Sequence, residues 1–195
     1  MSSAANTTAG APRHDRSRSV KTTDRRRRRS SPASTPVSEP PATGTPCSGC
    51  GLVVEGGVEG CQALFDDESA REYADIRFAA RRRMIVDTYC LQHPERYCAS
   101  AKSLAAHLTG LCIAIEHRGR EDELNAAIQR WLERRPELEK PPLPKARGPL
   151  TIAAVRAATD LVDHRAAVDG WARGTWDAYA ALHPIARTWV ARVTG

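Results

Sequence analysis

The chain has 195 residues and a formal net charge of +6, with 41% hydrophobic and 27% charged residues, which fits one globular domain plus unstructured sequence. Nine of the 29 basic residues and three of the 23 acidic ones precede Cys47, leaving 20 of each beyond it, so the domain itself has no cationic surplus with which to track a phosphate backbone. There is no run of 18 apolar residues and no apolar N-terminal stretch of secretory type, which argues against a membrane span or an export signal and for a cytoplasmic, reducing setting, where six cysteines read as metal ligands or buried thiols rather than a disulfide framework.

Residues 1–46 are rich in Ser, Thr, Ala, Pro and Arg and contain no aromatic residue. Such a segment cannot offset its ordering entropy by burial and is expected to be a disordered basic tail. The run Arg25–Arg29 offers a contact for nucleic acid; a solvated charged tail, or translation starting further down, is the plainer account.

At Cys47 the character changes. Cys47-Ser-Gly-Cys50-Gly51 is a short knuckle, in which two thiolates three positions apart can hold one ion and the following glycine lets backbone N–H groups turn toward sulfur. From about 62 to 80 the pattern is helical, with Leu64, Phe65, Glu68, Ala70, Tyr73 and Ile76 mostly on one face. A second helix covers about 82–92 and stops at His93-Pro94. A third is expected over about 95–117. Its apolar stripe (Tyr97, Ala101, Leu104, Leu108, Leu111, Ile115) runs beside a stripe of small or weakly polar residues (Ser100, Ser103, His107, Gly110, Ala114), which predicts burial on two sides in the middle of a bundle. A fourth spans about 121–134. The Pro-rich connector at about 136–149 is expected to be an extended strap over the bundle rather than an exposed polyproline ligand. Residues 150–155 suit a short strand or a helical turn. The last helical stretch runs from an N-cap at Asp160 to about Arg192 and is kinked or divided at Pro184. The expected fold is mainly α, a compact helical bundle over residues 47–195 with a zinc-knuckle-like CxxCG head.

One CxxC supplies two ligands, and a structural zinc site needs four. Cys61 at the start of the first helix and His93 at the end of the second share a pole if these helices form an antiparallel hairpin. The favoured set is therefore Cys47, Cys50, Cys61 and His93, with Cys90 and Cys98 as alternates and zinc as the ion. A redox dithiol would want a βαβ context that the pattern does not show. Asp87, inside an apolar helix, must be paired, exposed or functional. With His107 and His183 it makes a second polar set that could hold a catalytic metal with an open position, against the plainer account of a paired aspartate and satisfied core histidines. Arg81–Arg83 read as solvated charge. No Walker loop, GxGxxG, GxSxG or HExxH motif is present.

The head Cys47-x-x-Cys50-Gly51, the segment Cys61-Gln-Ala-Leu-Phe65, the box Val86-Asp-Thr-Tyr-Cys-Leu-Gln-His-Pro94, Tyr97-Cys98 with Ser100, and Lys102-Ser-Leu-Ala-Ala-His-Leu108 resemble an uncharacterised bacterial domain-of-unknown-function family. Leu138-Glu-Lys-Pro141, Arg147-Gly148, Leu150-Thr-Ile152, Trp171 and Trp176 continue the likeness over about 47–189. The resemblance implies a helical fold with the CxxCG head as an integral part and implies no activity. This chain departs from it in lacking a histidine before the box, where Arg82 and Arg83 stand. Three functional readings follow: a zinc-stabilised helical domain that binds a protein partner; a metal-dependent enzyme with its site in the bundle; and a nucleic-acid-associated protein acting through Arg25–Arg29.

Overall fold

A computed structural model describes residues 43–194; most of the expected tail, Arg25–Arg29 included, lies outside the described residues. The chain enters through a short antiparallel ribbon, β1 (Thr45–Pro46) against β2 (Val53–Val54), with Thr45 opposite Val54 and Pro46 opposite Val53. The knuckle is the loop between these strands. Cys47 N–H donates to Leu52 O and Gly51 N–H to Cys47 O, each at 2.8 Å, and Gly51 takes a φ of 80° that a side chain would resist.

Eight helices follow: α1 (Val58–Ala74), α2 (Arg82–Gln92), α3 (Pro94–Tyr97), α4 (Ala101–Glu116), α5 (Glu121–Glu133), α6 (Ile152–Arg156), α7 (Leu161–Ala178) and α8 (His183–Ala191). Helix α4 is the centre of the packing. It lies against α2, α5, α7 and α8, and Leu104, Ala105, Leu108, Leu111, Cys112 and Ile113 on it are fully buried. Helix α7 adds Val168, Trp171, Ala172 and Trp176 to the same core. Burial of large side chains at this scale stabilises by roughly 1.5–3 kcal/mol each. Among the described residues no helix is long and apolar enough to cross a membrane.

Two elements differ from the periodicity reading, and the last stretch follows it. The first helix begins at Val58 and ends at Ala74, and a 3-10 turn over Phe78–Arg81 leads into α2. Its buried face carries Cys61, Glu68 and Glu72, while Tyr73 and Ile76 are exposed; a face buried through ligands and ion pairs leaves no apolar period to follow. The third helix is split. Ser100 caps a new helix by accepting from Ser103 N–H while the Ser103 hydroxyl accepts from Ser100 N–H, and that reciprocal cap satisfies the freed amides at the break. The last stretch is divided before Pro184, which stands in the first turn of α8, where a missing N–H costs nothing. Asp160 caps α7 by accepting from the N–H groups of Val162 and Asp163.

The connector is a strap over the bundle. Leu138 and Leu143 pack against the core, Lys140 Nζ donates to Ala99 O at 3.0 Å, and Arg147 pairs with Glu95 at 3.0 Å.

Candidate metal centre

The knuckle, the start of α1 and the end of α2 converge on one point. One ligand atom each from Cys47, Cys50, Cys61 and His93 lies within 4.8 Å of all the others. Cys50 Sγ is 3.6 Å from Cys61 Sγ, and His93 Nε2 is 3.4 Å from both Cys47 Sγ and Cys61 Sγ. A regular tetrahedron with metal–sulfur bonds of about 2.3 Å and metal–nitrogen bonds of about 2.0 Å has S···S edges near 3.8 Å and S···N edges near 3.5 Å. Three of the six edges therefore stand close to the lengths such an ion would need, and the other three are within 4.8 Å. Cys47, Cys61 and His93 are buried and Cys50 is half-buried.

Local structure prepares each donor. His93 ends α2 because Pro94 follows it, and its Nδ1 lies 2.8 Å from Tyr89 O. Nδ1 therefore donates to that carbonyl, and the Nε2 lone pair is left for the cluster. Gly49 admits the imidazole: a Cβ there would collide with His93 Cδ2. Tyr89 stacks between Phe65 and His93, with ring centroids 4.1 Å from each. The Gly51 N–H is taken by the Cys47 carbonyl and is not turned toward sulfur.

The sulfurs do not titrate alike. Hydrogen bonding from Cys61 pulls the Cys50 thiol well below its ordinary range, with help from His93 and the Leu52 amide, against a burial that works the other way. The Cys61 thiol is pushed up, by its bond to Cys50 and by burial. A divalent cation bound here would take the place of the thiol protons shared among these sulfurs. Cys90, Cys98 and Cys112 stand apart from the four. Burial pushes each of these thiols up to about 12, which makes them inert packing groups. Cys98 Sγ lies 3.7 Å from Cys90 O. The Cys98 thiol is therefore turned to the α2 backbone, and neither alternate joins the four donors.

The second polar set is only partly brought together. Asp87 and His107 meet at 2.9 Å. His183 is elsewhere, stacked on Trp176 at 3.8 Å between centroids and 2.9 Å from Trp176 O through Nε2, so it is not near enough to share an ion with them. Cys112, Glu116 and His117 also lie close together, but both oxygens of Glu116 are held by the Arg187 guanidinium at 2.8 Å. The arginines that open α2 are not simply solvated. Arg82 pairs with buried Glu72 at 3.3 Å and Arg83 with buried Asp87 at 2.6 Å, because each carboxylate, once out of water, needs a partner.

The pattern reading missed a further buried cluster. Glu68, fully buried on α1, meets His164 Nε2 at 2.7 Å and Arg156 Nη1 at 3.2 Å. The only trace in the sequence is two glutamates four apart on one helix, which exposed helices carry as often.

Residues 45–180, the greater part of the chain, match the model of a family described as Family of unknown function (DUF5946), and the chain belongs to that family. No curated protein and no solved structure matches it.

Proposed function

We propose that this member of the family of unknown function is a zinc-stabilised helical domain of the cytoplasm. One Zn²⁺ held by Cys47, Cys50, Cys61 and His93 fastens the knuckle onto α1 and α2, and the domain so fixed binds a protein partner. The observation that carries the reading is the convergence of these four donors to within 4.8 Å of one another from three elements distant in sequence. Three thiolates and an imidazole are the donors that zinc prefers among available divalent ions. Four protein donors fill the coordination shell, so the ion's contribution goes into folding; a metal-dependent enzyme at this centre would need one of them to leave.

The test is the zinc content of the untagged full chain beside a Cys61→Ser variant. The expected result is about one zinc per chain for a single tetrahedral site, lost in the variant together with more than about 10 °C of melting temperature. Protein purified without chelators that carries no metal would sink the reading. The partner is sought where α1 ends, since Tyr73 and Ile76 are 77% and 80% exposed there. A photo-crosslinking residue at position 73 should give a discrete adduct in cells that the same residue at exposed Glu133 does not; identical patterns from both positions would remove that surface from consideration.

A further inference from the structure

Helices α2 and α4 pack along each other, and one of their contacts is built from polar groups. Asp87 is fully buried; its Oδ1 lies 2.9 Å from His107 Nδ1 and its Oδ2 accepts from Arg83 Nε at 2.6 Å. Arg83 Nη2 donates onward to Ala106 O at 3.1 Å. Gly110 makes the space: a Cβ there would collide with Asp87 Oδ2 and come within 3.0 Å of Arg83 Nη2. A glycine in a helix interior gives up about 1 kcal/mol relative to alanine, so α4 is locally weakened to admit this carboxylate.

The consequence falls on His107. A ring nitrogen facing a buried carboxylate carries the proton, so Nδ1 donates to Asp87, and in the neutral ring Nε2 keeps its lone pair. No described residue hydrogen-bonds to Nε2. The imidazole is 20% exposed and forms part of the wall of a cleft of about 520 Å³, with Arg82, Arg83, Asp122 and Gln129 around an alanine-lined floor. The Arg83 Nη1 hydrogens meet no described acceptor either. The cleft thus presents the Arg83 Nη1 donor, one imidazole nitrogen and two carboxylates: Asp87, already held by Arg83 and His107, and Asp122 opposite. A bare anion would meet Asp122 and have nothing to give Nε2. An oxyanion that also carries an O–H matches both halves of the wall, since arginine pairs with its unprotonated oxygens and the hydroxyl serves the imidazole.

We propose that this cleft, separate from the metal centre, binds a phosphate group in its hydroxyl-bearing form, with Arg83 Nη1 facing an unprotonated oxygen and the P–OH donating to His107 Nε2, while Arg82 stays paired with Glu72 and adds only its positive charge to the rim. The shared chemistry admits free hydrogen phosphate or the monoanion of a phosphomonoester. The test is a nuclear magnetic resonance titration of the isotope-labelled full chain with inorganic phosphate, phenyl phosphate and acetate at constant ionic strength, to about 10 mM, well past saturation for a sub-millimolar site. Saturable shifts of the His107 ring and the Arg83 side chain are expected with one or both phosphates, the tighter naming the source, and none with acetate. Asp122→Asn, on the exposed face of α5, should tighten binding about two- to fivefold by removing a like charge. His107→Gln should weaken it about tenfold. No saturable shift, an equal response to acetate, or an Asp122→Asn protein that binds no tighter than the original would overturn the proposal. The last arm leaves the Asp87–His107 contact untouched, so the test stands even if His107→Gln does not fold.

Discussion

Within the box Val86–Pro94, successive side chains serve different neighbours. Asp87 reaches His107 on α4, Thr88 returns its hydroxyl to Met84 O on its own helix, Tyr89 packs on Phe65 and His93, and Gln92 donates to the strap. All of these except the Thr88 bond and the Tyr89–His93 contact are made across the fold, and so the segment is almost wholly buried despite a polar composition. Gly110 is the partner residue that this arrangement requires on α4. Gly110→Ala would add about 1 kcal/mol of helix propensity at an ordinary interior position; here the collision with Asp87 should reverse the sign and destabilise by about 1–3 kcal/mol, read as a lower urea midpoint at unchanged slope. The buried aspartate and the conspicuous glycine are visible in the sequence one by one. That they touch is not, because they lie on different helices.

Among the elements, the strap depends most on a single side chain. Gln92 Nε2 lies 2.8 Å from both Arg147 O and Leu150 O and 3.3 Å from Thr175 Oγ1, so it supplies donors to a segment that has no ladder of its own. Next to it, Tyr179 O–H donates to Leu91 O at 2.6 Å, and the following residue is His93 of the metal centre. The end of α2 therefore ties the knuckle, the strap and α7 together within three residues. Gln92→Ala should leave the Leu150 carbonyl without a partner and the Arg147 carbonyl with only the Thr175 hydroxyl, and cost about 1–3 kcal/mol, with faster tryptic cleavage at Lys145 in the strap and the metal content unchanged; cleavage no faster than in the original chain would show that the strap is held by Leu138, Leu143 and Arg147 instead. The strap and the division before Pro184 were legible from prolines, whose effect is local. The break at Cys98–Ser100 was less so, because a serine cap competes with an unbroken apolar stripe and only the packing of α3 decides between them.

On the scale of the whole molecule, stability should depend on pH through Glu72. Burial pushes its carboxyl up to about 7; the Arg82 guanidinium lowers it and the Glu68 charge raises it, and burial wins. Glu72 Oε1 has no partner among the described groups. In the unfolded chain the group ionises near its ordinary value of about 4.3, so between that pH and about 7 the native state holds a proton that the unfolded state has released. Stability from this group is complete below the lower value and is lost as pH rises to the upper one. Glu72→Gln should flatten that slope and exceed the original chain at pH 8 by on the order of 2–3 kcal/mol. The measurement is the difference between the two proteins' urea stabilities across pH 4–8, in which the metal centre's own dependence cancels; a constant difference would show that Arg82 keeps Glu72 ionised throughout.

By itself the sequence determined what rests on neighbours along the chain: a mainly helical fold, because 3–4 periodicity and capping are local; α4 as the inner helix, because an arc that is apolar or small over most of its width can only be buried; and the cysteine pair of the knuckle, because a tight turn brings two thiols together without outside help. Tertiary structure decided among the candidates for the rest of that site, bringing the favoured Cys61 and His93 to the pair and leaving Cys90 and Cys98 apart, and it alone decided that His183 turns to Trp176 while His107 turns to Asp87. It also decided that Glu68, Glu72 and His164 lie in the core. A charged side chain leaves no hydrophobic period, and the ion pairs that make its burial tolerable join residues such as Glu68 and His164, which come within hydrogen-bonding distance only after α1 and α7 have packed.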